Sequence, residues 1–210
     1  MKNLVARGYS VAIFPEGTRS EDCHIQRFHR GAFVAAKELG LEILPLLIHG
    51  FGHALPKHHF CLHRASLSMK VYPRVSVPEG DIAAFTRQMR AFYTAEYDTV
   101  SRERETPAYL APRVRDNYVY KGHDALQECR RVLRPETYAA IASLPAEPVT
   151  LPDPGCGVYA LLLALSRPDI AVTAFIAEED AFLTAVRCPD VPSNLTYVYG
   201  TAPVAEEAAV

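Results

Sequence analysis

The 210-residue sequence contains no tryptophan, and no stretch approaches the roughly 20 apolar residues that a membrane-spanning helix needs. The first ten residues, MKNLVARGYS, lack the apolar core of a secretory signal peptide. The five cysteines are scattered without a C-x-x-C pair, which is typical of reduced thiols. These features argue against a disulfide-stabilised secreted domain, and we expect a cytoplasmic protein.

Neither positive nor negative charge is in large excess, with 22 Lys and Arg against 24 Asp and Glu. The net charge is -2, which gives no global bias toward nucleic acid, and we expect no nucleic-acid partner. The charge is uneven, however. Residues 1–100 hold 12 Lys and Arg against 9 Asp and Glu, whereas residues 101–210 hold 10 against 15. The first half is therefore the better candidate for an anionic ligand or surface.

Hydrophobic residues make up 49% of the chain, enough to form a core, and their pattern predicts an α/β protein. In the first hundred residues we predict buried strands at 10–14 and 42–49, one or two strands within 65–77, a helix at 31–39 and a helix from Asp81 to about Val100. Gly40 is the expected stop of the first helix and Asp81 the expected cap of the second. Pro45 indicates an edge or a bulge in its strand.

The second half begins with a charged, proline-containing stretch at residues 101–121, which we interpret as a linker. Helices are predicted at 123–133 and 136–144. A strand, glycine turn, helix and strand are then predicted at 149–151, 155–157, 158–166 and 171–176, with a last strand at 195–199. This pattern divides the chain into residues 1–100, a linker at 101–121 and residues 122–210.

The most specific string is FPEGTRS at residues 14–20. The glycine allows a close backbone approach to a ligand, and a guanidinium offers a planar donor fork that suits a phosphate. Hydroxyls flank the guanidinium, and the carboxylate could accept a bond from a substrate hydroxyl or hold the arginine in place. The alternative is a strand-to-loop turn with a surface ion pair. The predicted phosphate-binding residues are Glu16, Gly17, Thr18, Arg19 and Ser20.

This string resembles a conserved block of the lysophosphatidate and glycerol-phosphate acyltransferase family. The segments RFHRG at 27–31 and ILPLL at 43–47 resemble two further blocks of that family, in the same order. The resemblance covers residues 3–100 and implies the C-terminal part of an acyltransferase domain. It implies that Glu16, Gly17 and Arg19 help to bind the acceptor phosphate, and that Arg30 and Pro45 lie on the acceptor or acyl side.

The resemblance also implies the substrates. The donor would be an acyl thioester of coenzyme A or acyl carrier protein, the acceptor a lysophospholipid or a glycerol-phosphate-type molecule, and no cofactor would be needed. The family's general base, a His in a His-x-x-x-x-Asp motif upstream of the FPEGTRS block, is missing, since no His here has Asp five positions later. We therefore expect a fragment or a truncated product, inactive alone, with peripheral contact to the inner face of the membrane through upstream sequence.

Two histidine patterns are candidates for further functional sites. His59, Cys61 and His63 would share one face of a strand, which is a possible zinc arrangement. The spacing matches no standard metal motif, so we expect no metal and a polar strand instead. His123 has Glu128 five positions later, and we interpret this pair as a solvated helix face.

The segment DPGCG at residues 153–157 resembles the first motif of Rossmann-like methyltransferases, which bind S-adenosylmethionine. The resemblance implies an incomplete Rossmann-like α/β segment after the partial acyltransferase domain. It implies cofactor contacts from Asp153, Gly155, Gly157 and Glu178. Ile176 stands where an acidic residue would bind the ribose, and Tyr159 replaces the third glycine. The alternatives to an acyltransferase segment are therefore a non-catalytic remnant and an adenosylmethionine-binding module.

Overall fold

A computed structural model describes residues 1–203 except Asp22, His58, His59 and Cys61. The chain divides into two compact units. Unit 1 comprises Met1–Lys57 and Ser66–Glu103, and unit 2 comprises His58–Ala65 and Arg104–Val210. Both contain helices and a small sheet, so the prediction of an α/β protein is confirmed at this level. Within the described residues no helix is both long and apolar enough to cross a bilayer.

Unit 1 places helices beside a two-stranded antiparallel sheet. Its elements are α1 (Lys2–Ala6), α2 (Gly31–Glu38), β1 (Leu46–His49), α3 (Phe51–Ala54), β2 (Ser68–Val71) and α4 (Ile82–Arg104). β1 pairs with β2 from Leu46 opposite Val71 to His49 opposite Ser68. Aromatic rings of α2 and α4 meet in the core, where Phe33 lies edge-on to Phe85 with the ring centroids 5.5 Å apart.

The caps that the sequence predicts in unit 1 are present. The backbone N–H of Ala83 donates to the Asp81 carboxylate at 2.8 Å, which satisfies one free donor at the start of α4. Gly40 follows α2 with a φ of 62°, a conformation that favours glycine. Pro45 interrupts the second predicted strand, which survives as β1 and an isolated bridge between Ile43 and Val75. The predicted helices at 31–39 and from Asp81, and the predicted strands within 42–49 and 65–77, are thus confirmed.

The predicted buried strand at residues 10–14 is wrong. These residues belong to no strand, and Phe14 is 74% exposed. An extended segment becomes a strand only when a neighbour supplies its hydrogen bonds, and none of the described residues pairs with it. The apolar run that suggests burial is not sufficient by itself.

Unit 2 is built on a three-stranded parallel sheet in the order β3-β4-β5. Its elements are α5 (Pro107–Asp116), α6 (His123–Val132), α7 (Pro135–Ala142), β3 (Val149–Pro152), α8 (Val158–Ser166), β4 (Val172–Ile176), α9 (Glu179–Val186) and β5 (Leu195–Tyr199). α8 is the centre of the core, since seven of its nine residues are buried. The strands and helices predicted after residue 121 are all present.

The structure differs from the sequence interpretation over residues 101–121. α4 continues to Arg104, and α5 occupies most of the rest of this interval. Leu110, Val114 and Tyr118 are buried in the core of unit 2. The polar residues of this stretch suggest a solvated linker, but Arg113 is buried there because Asp190 pairs with it.

Candidate functional site

The residues of the FPEGTRS segment form a tight turn on the surface of unit 1. The N–H of Gly17 donates to the carbonyl of Phe14 at 3.1 Å, and Gly17 adopts a φ of 72° that favours glycine. A side-chain carbon at position 17 would lie 3.3 Å from the imidazole of His29. The N–H of His29 donates to the carbonyl of Pro15 at 2.7 Å. The turn is therefore held against the segment that leads into α2.

Glu16 holds the main chain of the following loop. Its carboxylate accepts a bond from the N–H of Gln26 at 2.8 Å. The carbonyl of the same Gln26 accepts from Nε of Arg90 on α4 at 3.0 Å. The carboxylate thus anchors the loop, and this bond is one that the sequence does not suggest, because ten residues separate the partners.

Arg19 bonds to backbone carbonyls more than thirty residues away. Its Nη1 lies 3.0 Å from the carbonyl oxygen of Leu55 and 3.2 Å from that of Pro56. Its Nη2 lies 2.8 Å from the carbonyl oxygen of Lys57. The residue is nevertheless exposed to solvent. The guanidinium therefore has an internal set of neutral acceptors and an open path to an external one.

The remaining predicted residues lie at different depths. Thr18 is exposed, and its hydroxyl makes only a long contact of 3.5 Å to the carbonyl of Arg19. Ser20 is half-buried. Arg30 is exposed and directly precedes α2. Pro45 lies inside unit 1, where its carbonyl accepts from the N–H of Tyr72 at 3.0 Å.

His29 also lies at the candidate site, although the sequence indicates it only as part of the RFHRG segment at 27–31. It is exposed, and its ring lies beside Gly17. Arg27 and Arg30, on either side of it, are also exposed. His29 thus brings an imidazole beside the turn, and Arg27 and Arg30 are exposed donors close to it in sequence.

The histidine patterns have separate outcomes. His59 and Cys61 lie outside the described residues. His63 lies in unit 2, with its Nδ1 3.9 Å from the carboxylate of Asp116, which is beyond hydrogen-bond range. The interpretation of His123 and Glu128 as a solvated face is wrong for Glu128, which is buried.

Glu128 is buried because it fills the glycine turn before α8. One carboxylate oxygen accepts from the N–H of Cys156 at 2.7 Å, and the other from the N–H of Val158 at 3.3 Å. A side-chain carbon at Gly155 would lie 2.2 Å from this carboxylate. The turn therefore needs a glycine at 155 to accommodate a residue of α6.

Two tyrosines and an aspartate complete the bonding of the same turn. The hydroxyls of Tyr118 and Tyr197 donate to the carbonyls of Cys156 and Gly157 at 3.2 and 3.1 Å. The carboxylate of Asp153 accepts from the N–H of Gly155 at 3.0 Å, and burial raises the pKa of this carboxyl. The N–H groups of Gly155, Cys156 and Val158 are thus bonded to the protein's own side chains. Oδ2 of Asp153 is buried and has no hydrogen-bond partner among the described residues.

A cavity of about 710 Å³ lies at the carboxyl ends of β3, β4 and β5. Thr150, Asp153, Phe175 and Gly200 are among its lining residues. Glu178 is exposed and precedes α9. This edge of a parallel sheet is where α/β proteins usually bind ligands.

The thiols of Cys129, Cys156 and Cys188 in unit 2 are buried and protonated at neutral pH. Burial raises the pKa of Cys129 and of Cys188 to about 11 each. Burial and the carboxylate of Glu128 raise the pKa of Cys156 still further. These cysteines act as core residues and not as nucleophiles, because the thiolate is the reactive form.

Comparison with known proteins finds a family match in the first part of the chain. Residues 1–49 match the sequence model of a family described as Acyltransferase. These residues include the whole FPEGTRS turn, His29 and α2. This match and the curated relatives described next support the resemblance to the acyltransferase family.

Curated relatives agree over a short stretch. A 1-acyl-sn-glycerol-3-phosphate acyltransferase of Chlamydomonas reinhardtii is 44% identical over 55 residues, which are 26% of this chain and 17% of that protein. The chloroplastic 1-acyl-sn-glycerol-3-phosphate acyltransferases BAT2 of Brassica napus and LPAT1 of Arabidopsis thaliana are 43% and 42% identical over 53 residues, 25% of this chain and 15% of each relative. The matched region thus spans about one sixth of the length of these relatives. No solved structure matches the chain.

Proposed function

We propose that unit 1 binds the phosphate of a glycerol-phosphate-type acceptor for acyl transfer. The observation that carries this proposal is the exposed turn at Gly17, Thr18 and Arg19, which lies within the acyltransferase-matched residues. Arg19 supplies a guanidinium fork, and the imidazole of His29, which lies beside Gly17, can donate a further hydrogen bond. The names of the relatives support an acceptor that carries both a hydroxyl and a phosphate.

The reaction assigns separate roles to binding and to proton transfer. The acceptor hydroxyl attacks the thioester carbonyl carbon of acyl coenzyme A or acyl carrier protein, the hydroxyl proton passes to a base, and the thiolate leaves and takes up a proton. The FPEGTRS turn serves the binding role, because a bound phosphate fixes the position of the acceptor hydroxyl. Contact with the inner face of a membrane and adenosylmethionine binding by unit 2 stay predictions.

We expect the 210-residue chain to show no acyl transfer by itself. No His within it has Asp five residues later, and general-base catalysis contributes about 10²–10⁴-fold. The measurement is thiol release from acyl coenzyme A in the presence of glycerol 3-phosphate, compared with the rate without protein. Robust turnover would show that another group of this chain supplies the base.

The binding role itself is tested by replacing Arg19. We expect Arg19→Ala to weaken glycerol 3-phosphate binding by about 10–100-fold, because charge-assisted hydrogen bonds contribute about 1.5–3 kcal/mol. Arg19→Lys should recover only part of the affinity, since an ammonium lacks the planar fork. Isothermal calorimetry on the purified chain measures all three dissociation constants.

Arg74→Ala is the matched control, because Arg74 is also exposed and lies in unit 1 outside the turn. It should leave the dissociation constant within about twofold, the scatter expected for a surface change of about 0.5 kcal/mol. Equal losses for Arg19→Ala and Arg74→Ala would indicate a nonspecific charge effect. Unchanged binding by a folded Arg19→Ala variant would contradict the assignment of the phosphate site.

A further inference from the structure

Arg19 has a donor edge that the folded chain leaves free. An arginine carries five N–H groups. Here Nη1 donates to the carbonyl oxygens of Leu55 and Pro56 at 3.0 and 3.2 Å, and Nη2 donates to that of Lys57 at 2.8 Å. Nε makes no hydrogen bond within the described residues. These bonds leave Nε–H and the second N–H of Nη2, which form one edge of the planar group and fit two oxygens of a single anion.

The three acceptors of Arg19 are held by the rest of unit 1. We call residues 55–57, which follow α3, the carbonyl cradle. Pro56 is buried, and the N–H of Leu55 donates to a carbonyl of the preceding helical turn at 2.9 Å. The ammonium of Lys57 lies 2.9 Å from the carboxylate of Glu21, in the loop that follows the FPEGTRS turn. The cradle is therefore tied both to α3 and to the loop beside Arg19, and it fixes the direction of the guanidinium.

We propose that the carbonyl cradle positions Arg19 so that Nε and Nη2 receive two oxygens of the acceptor phosphate. This inference rests on the proposed phosphate-binding function and adds a positioning element outside residues 1–49, the part of the chain that matches the acyltransferase family. The cradle and the phosphate use different N–H groups, so both stay bound. Because the carbonyls already restrict the side chain, binding avoids the ordering of a free arginine, which would weaken the affinity by about 2–10-fold.

The donor edge is tested by the Nε–Hε signal of Arg19 in a proton–nitrogen correlation spectrum of the full chain. The signal is assigned by its absence from the spectrum of Arg19→Lys. Saturating glycerol 3-phosphate should shift it more than any other arginine Nε–Hε signal, because the phosphate accepts from this proton, whereas sodium chloride at the same ionic strength should not. Arg90 is the internal reference, since its Nε already donates to the carbonyl of Gln26 at 3.0 Å and its signal should stay in place.

The positioning role is tested by loosening the cradle while Arg19 is kept. Pro56→Gly removes the ring that restricts the backbone at the centre of the cradle. We expect the dissociation constant for glycerol 3-phosphate to rise about fivefold, which corresponds to about 1 kcal/mol. We also expect a smaller shift of the Arg19 signal at saturation. A residue that only stabilises the fold would lower the melting temperature and leave this saturated shift unchanged.

Glu21→Gln gives a second test, in which the cradle and simple electrostatics predict opposite signs. The variant unties Lys57 and removes a negative charge, so electrostatics alone would strengthen the binding of a phosphate. If the cradle positions Arg19, binding should instead weaken by about two- to threefold, the scale of an exposed ion pair. Glu79→Gln is the matched control, because Glu79 forms a similar exposed pair with Lys37 at 3.2 Å, and it should not weaken binding.

The outcomes separate this inference from the function on which it rests. If Arg19→Ala weakens binding but the wild-type Nε–Hε signal does not move with glycerol 3-phosphate, the donor edge is wrong and the binding role stands. If the signal moves but neither cradle variant binds more weakly than the wild type, the positioning role is wrong. If glycerol 3-phosphate does not bind at millimolar concentration, the function and the inference are both wrong. If Pro56→Gly does not fold, Glu21→Gln and the wild-type spectrum decide the matter.

Discussion

Glu128→Ala is expected to lower the free energy of unfolding of unit 2 by about 2–5 kcal/mol. The substitution leaves the N–H groups of Cys156 and Val158 without their acceptor, and each unsatisfied buried donor costs about 1–3 kcal/mol. It also removes the carboxylate that α6 presents to the N-terminal end of α8, where the helix dipole favours a negative charge. Chemical unfolding followed by near-ultraviolet circular dichroism measures the change. The chain lacks tryptophan, and beside this turn unit 2 buries Tyr118 and partly buries Tyr197.

Glu136→Ala is the control, because Glu136 is exposed near the start of α7 and should change the stability by less than about 0.5 kcal/mol. Glu128→Gln tests the charge, since it keeps the shape but turns an amide toward a backbone donor. Sodium formate should raise the melting temperature of Glu128→Ala more than sodium chloride does, by supplying a carboxylate to the vacated turn. Equal stabilities for the Glu128 and Glu136 variants would contradict this role of the carboxylate.

The same contact shows what a sequence motif can and cannot reveal. The glycine pattern at 155–157 correctly predicts a tight turn between β3 and α8. It does not reveal that a carboxylate 28 residues earlier in the chain accepts from the turn. The resemblance to a cofactor-binding motif rests on these glycines, and the N–H groups of Cys156 and Val158 in the turn are bonded to Glu128.

Local signals account for most of the correctly predicted elements. Asp81 and Gly40 mark helix ends through contacts within a few residues, and the apolar run of α8 needs no distant partner to indicate burial. Residues 10–14 also form an apolar run, but no strand among the described residues pairs with them. The sequence does not indicate the burial of α5, because an arginine such as Arg113 suggests a solvated segment. In the structure Arg113 is buried and bonds to Asp190, which lies 77 residues further along the chain.

The candidate site likewise combines local features that the sequence indicates with contacts between distant residues that it does not. The FPEGTRS string indicates an exposed turn with a guanidinium, and the structure has both. The acceptors of Arg19 lie 36 to 38 residues further along the chain, in a segment with no recognisable motif. Sequence thus identifies the groups that offer chemistry, whereas their current partners depend on the folded chain.

Breaking the buried pair of Arg113 and Asp190 is expected to have the largest effect on stability. Nε and Nη2 of the guanidinium donate to the two carboxylate oxygens at 2.6 and 3.0 Å, and the side chains are only 5% and 10% exposed. Asn117 extends the network, since it accepts from the N–H of Asp190 and donates to the carbonyl of Arg113. Arg113→Met leaves the Asp190 carboxylate as an unpaired buried charge, and Asp190→Leu leaves the guanidinium with the more distant carboxylate of Glu105, 3.8 Å away. Each single change should therefore cost about 3–5 kcal/mol.

The double variant Arg113→Met/Asp190→Leu should cost far less than the sum of the two single changes. It removes both buried charges, and apolar side chains of similar volume replace a buried pair at little or no net cost. Asp169→Ala is the control, because Asp169 makes an equally short bond to Arg167 but is about half exposed, and its loss should be small. Urea unfolding of the four variants and the wild type gives the coupling energy between Arg113 and Asp190. Additive losses would mean that the two charges are not compensating each other, and that α5 is held in unit 2 by its apolar residues alone.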